Sequence, residues 1–101
     1  MRVLVISRPK HAIPPEQMPG LVDAFAAWRE RYRAKMEVFE FFAGAGGGFG
    51  ILNADSEIEL NQIMLEYPFS FASELEIRAI VNGDTALGQL QAAMQQMMAH
   101  A

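Results

Sequence analysis

The stretch Phe49–Val81 constrains the fold most, because it has the pattern of a strand, a helix and a second strand in succession. Phe49–Asn53 is a short apolar run, which is typical of a buried strand. Ser56 and Glu59 have capping-box spacing, in which each side chain satisfies a free amide of the first helical turn. Pro68 predicts the end of this helix, since proline lacks the amide hydrogen that a helix interior needs.

Two periodicities support this interpretation. The predicted helix carries one apolar stripe at helical spacing, made of Leu60, Ile63, Met64 and Tyr67. After Pro68 the pattern changes to the alternation of a strand with one buried face. Its apolar positions are Leu75, Ile77, Ala79 and Val81, and the polar positions between them are Glu74, Glu76 and Arg78. The apolar positions are therefore expected to face the helices.

The rest of the chain adds two strands and two helices to this unit. The predicted order is a strand at Arg2–Ser7, a loop at Arg8–Gly20, a helix to about Ala34, a strand at Met36–Phe42, and a last helix capped by Asp84 or Thr85. Together with the central stretch this gives βαββαβ and a terminal helix, which is the ferredoxin-like α+β arrangement. A single domain is expected over residues 1–101.

The central stretch resembles the second half of muconolactone isomerase and its small relatives. The matching segments are Asp55–Ser56, Leu65–Phe69 and Leu75–Ile77, with Ala43–Gly44 before the strand. These are packing motifs, and they cover about a third of the chain. The resemblance implies a dimeric α+β barrel. It also implies cofactor-independent proton transfer on a small anionic or lactone-type molecule.

Composition excludes several classes of protein. The chain has no cysteine, which excludes disulfides and thiolate metal sites. Its formal net charge of −4 argues against general nucleic-acid binding, which needs a basic surface. No apolar run approaches the roughly 20 residues of a membrane span, and residues 1–20 lack a signal-peptide pattern. We therefore expect a cytoplasmic protein with neither nucleic acid nor a membrane as its partner.

A second copy of the chain is the expected partner. With both helices on one face of the sheet, strand alternation leaves apolar and charged residues together on the other face. In the second strand, alternation groups Met36, Val38, Glu40 and Phe42 on one side and Glu37, Phe39 and Phe41 on the other. Exposing such a surface is costly, so two sheets are expected to pack face to face and enclose a cavity.

Five residues are candidates for the site. Glu40, between aromatic residues of the second strand, is the candidate base. His11, in the proline-rich loop, is the candidate second proton carrier. Arg78 and Arg8 could bind a substrate carboxylate, and Trp28 could form a pocket wall. The alternative is structural: interface or edge-strand ion pairs for the charges, an incidental loop histidine and a core tryptophan. No metal site is expected, because His11 has no second ligand at suitable spacing.

The segment Ala43–Gly50 is rich in glycine but lacks the residues of a phosphate-binding loop. It is predicted to be a hairpin turn in which Gly46, Gly47 or Gly48 has a positive φ. A flexible lid or an anion-binding nest of backbone amides is the alternative.

Three functions follow from these patterns. The leading hypothesis is isomerase-like proton transfer in the barrel cavity. The second is an enzyme that resembles the antibiotic-biosynthesis monooxygenases or polyketide cyclases and acts on an aromatic substrate. The third is a non-catalytic ligand-binding or assembly module. The lining of the pocket separates them, because charged pairs favour the first, aromatic walls the second and a filled barrel the third.

Overall fold

The computed structural model describes residues 1–100 as four strands and three helices. The strands are β1 (Arg2–Pro9), β2 (Met36–Phe41), β3 (Gly48–Asn53) and β4 (Ser73–Ile80). The helices are α1 (Met18–Arg31), α2 (Glu57–Leu65) and α3 (Gly83–Ala99). Short 3-10 turns occupy Pro15–Gln17, Arg33–Lys35 and Ser70–Ala72.

The four strands form one antiparallel sheet in the order β2-β3-β1-β4. The two central strands, β1 and β3, pair from Arg2 opposite Asn53 to Ser7 opposite Gly48. This is the ferredoxin-like arrangement, and it confirms the predicted α+β class and element order. We call the side of the sheet that α1 and α2 cover the covered face, and the opposite side the open face.

The core lies on the covered face. Val3, Val5 and Leu52 are buried there against Ile63, whose side chain has no exposed surface. The indole Nε1 of Trp28 donates a hydrogen bond of 2.9 Å to the backbone oxygen of Ile63, which ties α1 to α2. The predicted apolar stripe of α2 therefore packs where its spacing indicated.

The helix ends partly differ from the sequence predictions. Ser56 caps α2 as predicted, because its Oγ accepts a hydrogen bond of 3.1 Å from the Glu59 amide. The Glu59 side chain accepts from the amide of Asp55 rather than from that of Ser56. The predicted caps of α3 were wrong, since Asn82 is the cap and its side chain accepts a hydrogen bond from the Thr85 amide.

Two strand predictions also need correction. β1 continues through Arg8 and Pro9, because Arg8 pairs with Glu74 of β4 and Pro9 pairs with Ser73. A register irregularity in β2 between Met36 and Val38 breaks simple alternation. Cross-strand pairing through Leu52 therefore places Met36 on the covered face with Phe39 and Phe41, whereas Val38 and Glu40 belong to the open face.

The helix α3 projects from the rest of the chain. Its large apolar residues are exposed, by 49% to 74% of their surface: Leu87, Leu90, Met94, Met97 and Met98. The chain is accordingly long and narrow, with extents of 65 × 26 × 20 Å. Among the described residues, no helix has the length and apolar character to cross a membrane.

Candidate functional site

A cavity of about 430 Å³ lies between the covered face and α1. β1 contributes Val5, Ser7 and Pro9 to it, and the loop that follows contributes His11 and Ile13. Its size is in the lower part of the range for small-molecule sites. The cavity is built within one chain, on the side of the sheet opposite to the face where two barrel sheets would meet.

Aromatic rings form most of one wall. Phe25 of α1 is at the centre of this cluster, with its ring centroid 5.6 to 5.9 Å from those of Trp28, Phe39, Phe41, Tyr67 and Phe69. Edge-to-face and tilted pairs of this kind are the favourable arrangements for aromatic side chains. The wall thus offers flat apolar surfaces against which a small ring can pack.

The apolar wall continues out to solvent. Phe41 is 68% exposed and Val22 is 50% exposed, although both line the cavity. Large apolar side chains that are half exposed around a concave surface are typical of a binding site. These two residues therefore mark the mouth.

One hydrogen-bonded pair supplies polar atoms to this wall. The Oγ of Ser7 lies 2.9 Å from the hydroxyl oxygen of Tyr67, and either atom can be the donor. Ser7 is almost fully buried on β1, in line with Val3 and Val5, and Tyr67 follows the end of α2. Because each hydroxyl can both donate and accept, the pair retains capacity to bind an oxygen atom of a ligand.

Backbone from the glycine-rich hairpin closes another side of the cavity. Gly44, Gly46 and Gly47 have positive φ values, which confirms the predicted reason for this composition. Gly47 also tolerates no side chain, because a Cβ there would lie 2.2 Å from the backbone oxygen of Ser7. The hairpin is therefore held close against the end of β1.

The cavity brings three of the five sequence candidates together: His11, Trp28 and Glu40 all border it. His11 is exposed at the mouth, and its amide donates to the backbone oxygen of Ala72. Trp28 is half-buried in the aromatic wall. Glu40 is opposite Phe49 in the register, which assigns its side chain to the open face although the residue borders the cavity.

The other two candidates, Arg8 and Arg78, belong to the open face. Both contact Glu76, at 3.4 Å from Arg8 and 2.9 Å from Arg78. The hydrogen bonds from Arg78 and then Arg8 hold the pKa of Glu76 below its usual value. Arg78 and Glu40 lie on opposite edge strands, and these two strands are roughly 14 Å apart if each strand spacing is about 4.8 Å. Their pairing in a cavity stays a prediction that would involve a second copy.

The described residues contain no group of three or more His, Cys, Asp or Glu side chains that could hold a metal ion. The polar groups that side chains offer in this cavity are the Ser7–Tyr67 pair, the hydroxyl of Ser73 and the imidazole of His11. These can donate and accept hydrogen bonds and move a proton.

Sequence reasoning missed Ser7 and Tyr67 as site residues. Tyr67 was assigned to the apolar stripe of α2, and Ser7 was only the end of a strand. A signal for Ser7 did exist, because alternation puts its hydroxyl on the buried side with Val3 and Val5. A buried hydroxyl requires a hydrogen-bond partner, and nothing in the sequence pattern identified Tyr67 as that partner.

Together these features define a ferredoxin-like chain with an aromatic cavity between its sheet and first helix. No family model and no curated protein matches the sequence. Solved structures of other proteins share its fold. A crystal structure of muconolactone isomerase matches with a TM-score of 0.73 and 14% identity, over 81% of this chain and 90% of the other. The resemblance seen in the sequence is thereby confirmed at the level of the fold.

The second structure is 5-chloro-2-hydroxyhydroquinone dehydrochlorinase from Burkholderia phenoliruptrix AC1100, in complex with 2,5-dihydroxybenzoquinone. It matches with a TM-score of 0.61 and 22% identity, over 84% of this chain and 98% of the other. Both structural neighbours are enzymes.

Proposed function

We propose that the protein catalyses proton transfer on a small cyclic organic molecule bound between the covered face and α1. The observation that carries this proposal is the aromatic cavity with the Ser7–Tyr67 pair in its wall and His11 at its mouth. The names of the two structural neighbours add support, because one is an isomerase and the other was crystallised with a six-membered ring compound.

In this proposal His11 removes a proton from a ring carbon beside a carbonyl group and returns it to another carbon of the same molecule. The electrons of the broken C–H bond move towards the carbonyl oxygen, which becomes more negative. A hydroxyl of the Ser7–Tyr67 pair donates a hydrogen bond to that oxygen and stabilises the charge. The reaction is an isomerisation, since no atom is gained or lost overall.

The test is deuterium exchange into cyclic ketones and lactones in D₂O, followed by NMR. We expect exchange catalysed by the wild type, and a loss of about 10²–10⁴-fold in His11→Gln. His100→Gln is the matched control, because His100 is exposed at the far end of the chain. No exchange above buffer with a panel of ring compounds that bind would contradict the proposal and favour a ligand-binding module.

Glu40→Gln tests the other candidate base. If this variant lost exchange while His11→Gln retained it, the base would be Glu40 and the site would involve the open face. The roles of Arg78 and Arg8 as carboxylate ligands depend on the same outcome, since their side chains share that face with Glu40.

Oxidation or cyclisation of an aromatic molecule is the second candidate function. The aromatic wall around Phe25 supports it as well as it supports proton transfer. Consumption of molecular oxygen that depends on an added phenol would favour this candidate, whereas exchange without oxygen uptake favours proton transfer.

We also propose that the protein forms a homodimer or a larger homo-oligomer through the open face. The support is the set of apolar residues that this face leaves partly exposed: Leu4, Ile6, Val38, Phe49 and Ile51. Exposed apolar surface of this kind is typically covered by a partner. Sedimentation equilibrium at tens of micromolar tests it, and a single species of 11.2 kDa would contradict it.

A further inference from the structure

The charge of the cavity limits which rings it can take. Among the described residues that line it, none is a lysine or an arginine. Its titratable side chains are those of His11, Glu40 and Tyr67, and pairing assigns the Glu40 side chain to the opposite face of the sheet. A ligand inside therefore meets apolar surface, backbone, the imidazole of His11 and the hydroxyl groups of Ser7, Tyr67 and Ser73.

Three arginines of the neighbouring strands and of α1 make their contacts outside the cavity lining. The guanidinium of Arg29 stacks on Phe39, 4.5 Å from the ring centroid, and does not line the cavity. Arg8 and Arg78 both contact Glu76 on the open face. A carboxylate buried in the aromatic wall would thus lose its water with no lysine or arginine of the lining to pair with, which is unfavourable.

From this lining we infer that the ligand is an uncharged ring bearing a hydroxyl or carbonyl oxygen, such as a phenol or a quinone, rather than a carboxylate. The inference rests on the proposed function, because it names the substrate class of the same cavity. It departs from the anionic substrate that the sequence resemblance implied. The ring packs against the Phe25 cluster, and its oxygen bonds to the Ser7–Tyr67 pair.

The experiment compares two probes of nearly equal shape, 4-hydroxybenzamide and 4-hydroxybenzoate. Trp28 is the single tryptophan, so its indole N–H gives one resonance that reports from the cavity wall. We expect the amide to bind at least tenfold more tightly than the carboxylate at pH 7. Equal or tighter binding of the carboxylate would overturn the inference.

Tyrosine variants test the contact to the ring oxygen. In wild type we expect 4-hydroxybenzamide to bind more tightly than benzamide, which lacks the hydroxyl. Tyr67→Phe should remove most of this difference, whereas Tyr32→Phe should keep it. Tyr32 is the matched control because it is the other tyrosine and its hydroxyl bonds to Glu66, outside the cavity lining. An unchanged difference in Tyr67→Phe would overturn this contact.

A gain-of-charge variant provides a check that does not depend on loss of binding. Val22 is half exposed and lines the cavity at its mouth. Val22→Lys places an ammonium group there, and we expect the preference to shift at least tenfold towards 4-hydroxybenzoate. No shift would show that charge does not set the preference. These experiments measure binding, whereas deuterium exchange measures proton transfer. The inferred ligand class can therefore be wrong while the proposed reaction is right, and the proposed reaction can be wrong while the ligand class is right.

Discussion

The two faces of the sheet differ in the polar interactions that they contain. On the covered face, Ser7 and Tyr67 satisfy each other inside an aromatic wall. On the open face, Arg8, Glu76 and Arg78 form ion pairs in contact with solvent. Exposed ion pairs contribute little free energy and form readily on protein surfaces. A charged cluster on a strand is therefore weaker support for a functional site than a buried hydroxyl group.

Neighbouring residues of the central strands make this contrast testable. Leu52 of β3 is buried on the covered face, and the adjacent Ile51 is half-buried on the open face. Substitutions on the covered face should alter the stability of the chain at any protein concentration. Substitutions on the open face should act through assembly.

The largest effect is expected at Ile63, which is fully buried in the core. Ile63→Ala should lower the free energy of unfolding by about 2–5 kcal/mol, because it removes apolar contacts and leaves a void. Ile58→Ala is the matched control on the same helix, since Ile58 is 83% exposed, and it should change stability by less than about 0.5 kcal/mol. Urea unfolding measures both. Equal effects at the two positions would contradict the assignment of the core to the covered face.

An intermediate effect is expected at Ile51. Its cross-strand neighbours on the open face are Leu4 and Val38, both apolar, so Ile51→Asp would place an unpaired carboxylate between two packed sheets. We expect self-association to weaken by at least 100-fold in sedimentation experiments. Ala27→Asp, on the exposed side of α1, is the control and should leave association unchanged. If Ile51→Asp associates as the wild type does, the interface lies elsewhere.

The smallest effect is expected at Glu76. Its pKa in the folded chain is held below the ordinary value of 4.5, with Arg78 as the main cause and Arg8 as the second. A lowered folded pKa gives stability that is present above pH 4.5 and is lost as the pH falls through the folded value.

Glu76→Gln should therefore make stability slightly less sensitive to acid below about pH 4.5. Unfolding midpoints at pH 3, 4 and 6 measure the difference. A wild-type acid response in Glu76→Gln would show that these ion pairs do not form in solution.

Much of the fold could be predicted from sequence because alternation and helical spacing are local signals. The Ser56 cap, the α2 stripe and the side of the sheet on which Leu75, Ile77 and Ala79 lie all followed from spacing alone. The expectation that the helices cover these β4 positions was only partly right, because Ile77 and Ala79 are exposed, as is Val81 beyond the strand. The side of Met36 could not be predicted, since one register irregularity in β2 moves it to the other face.

The site was predicted less well for a related reason. His11 and Trp28 were identified, and both line the cavity. The contact between Ser7 and Tyr67 joins residues 60 positions apart in the chain. No local pattern encodes such a contact, because it depends on how α2 is placed over the sheet. Charged residues are easy to identify as candidates because they interrupt an apolar pattern. The hydroxyl groups of Ser7 and Tyr67 do not interrupt it.

The projecting helix α3 has a consequence for how the chain behaves at different dilutions. A compact chain of this length has a radius of gyration of about 13 Å, whereas this one has 18.0 Å. Between Asp84 and His100 the helix carries no charged side chain, so no electrostatic repulsion keeps two such helices apart. Leu90 and Met94 are exposed to water in the single chain, so we expect contacts between α3 helices of different copies to become more frequent as the protein concentration rises.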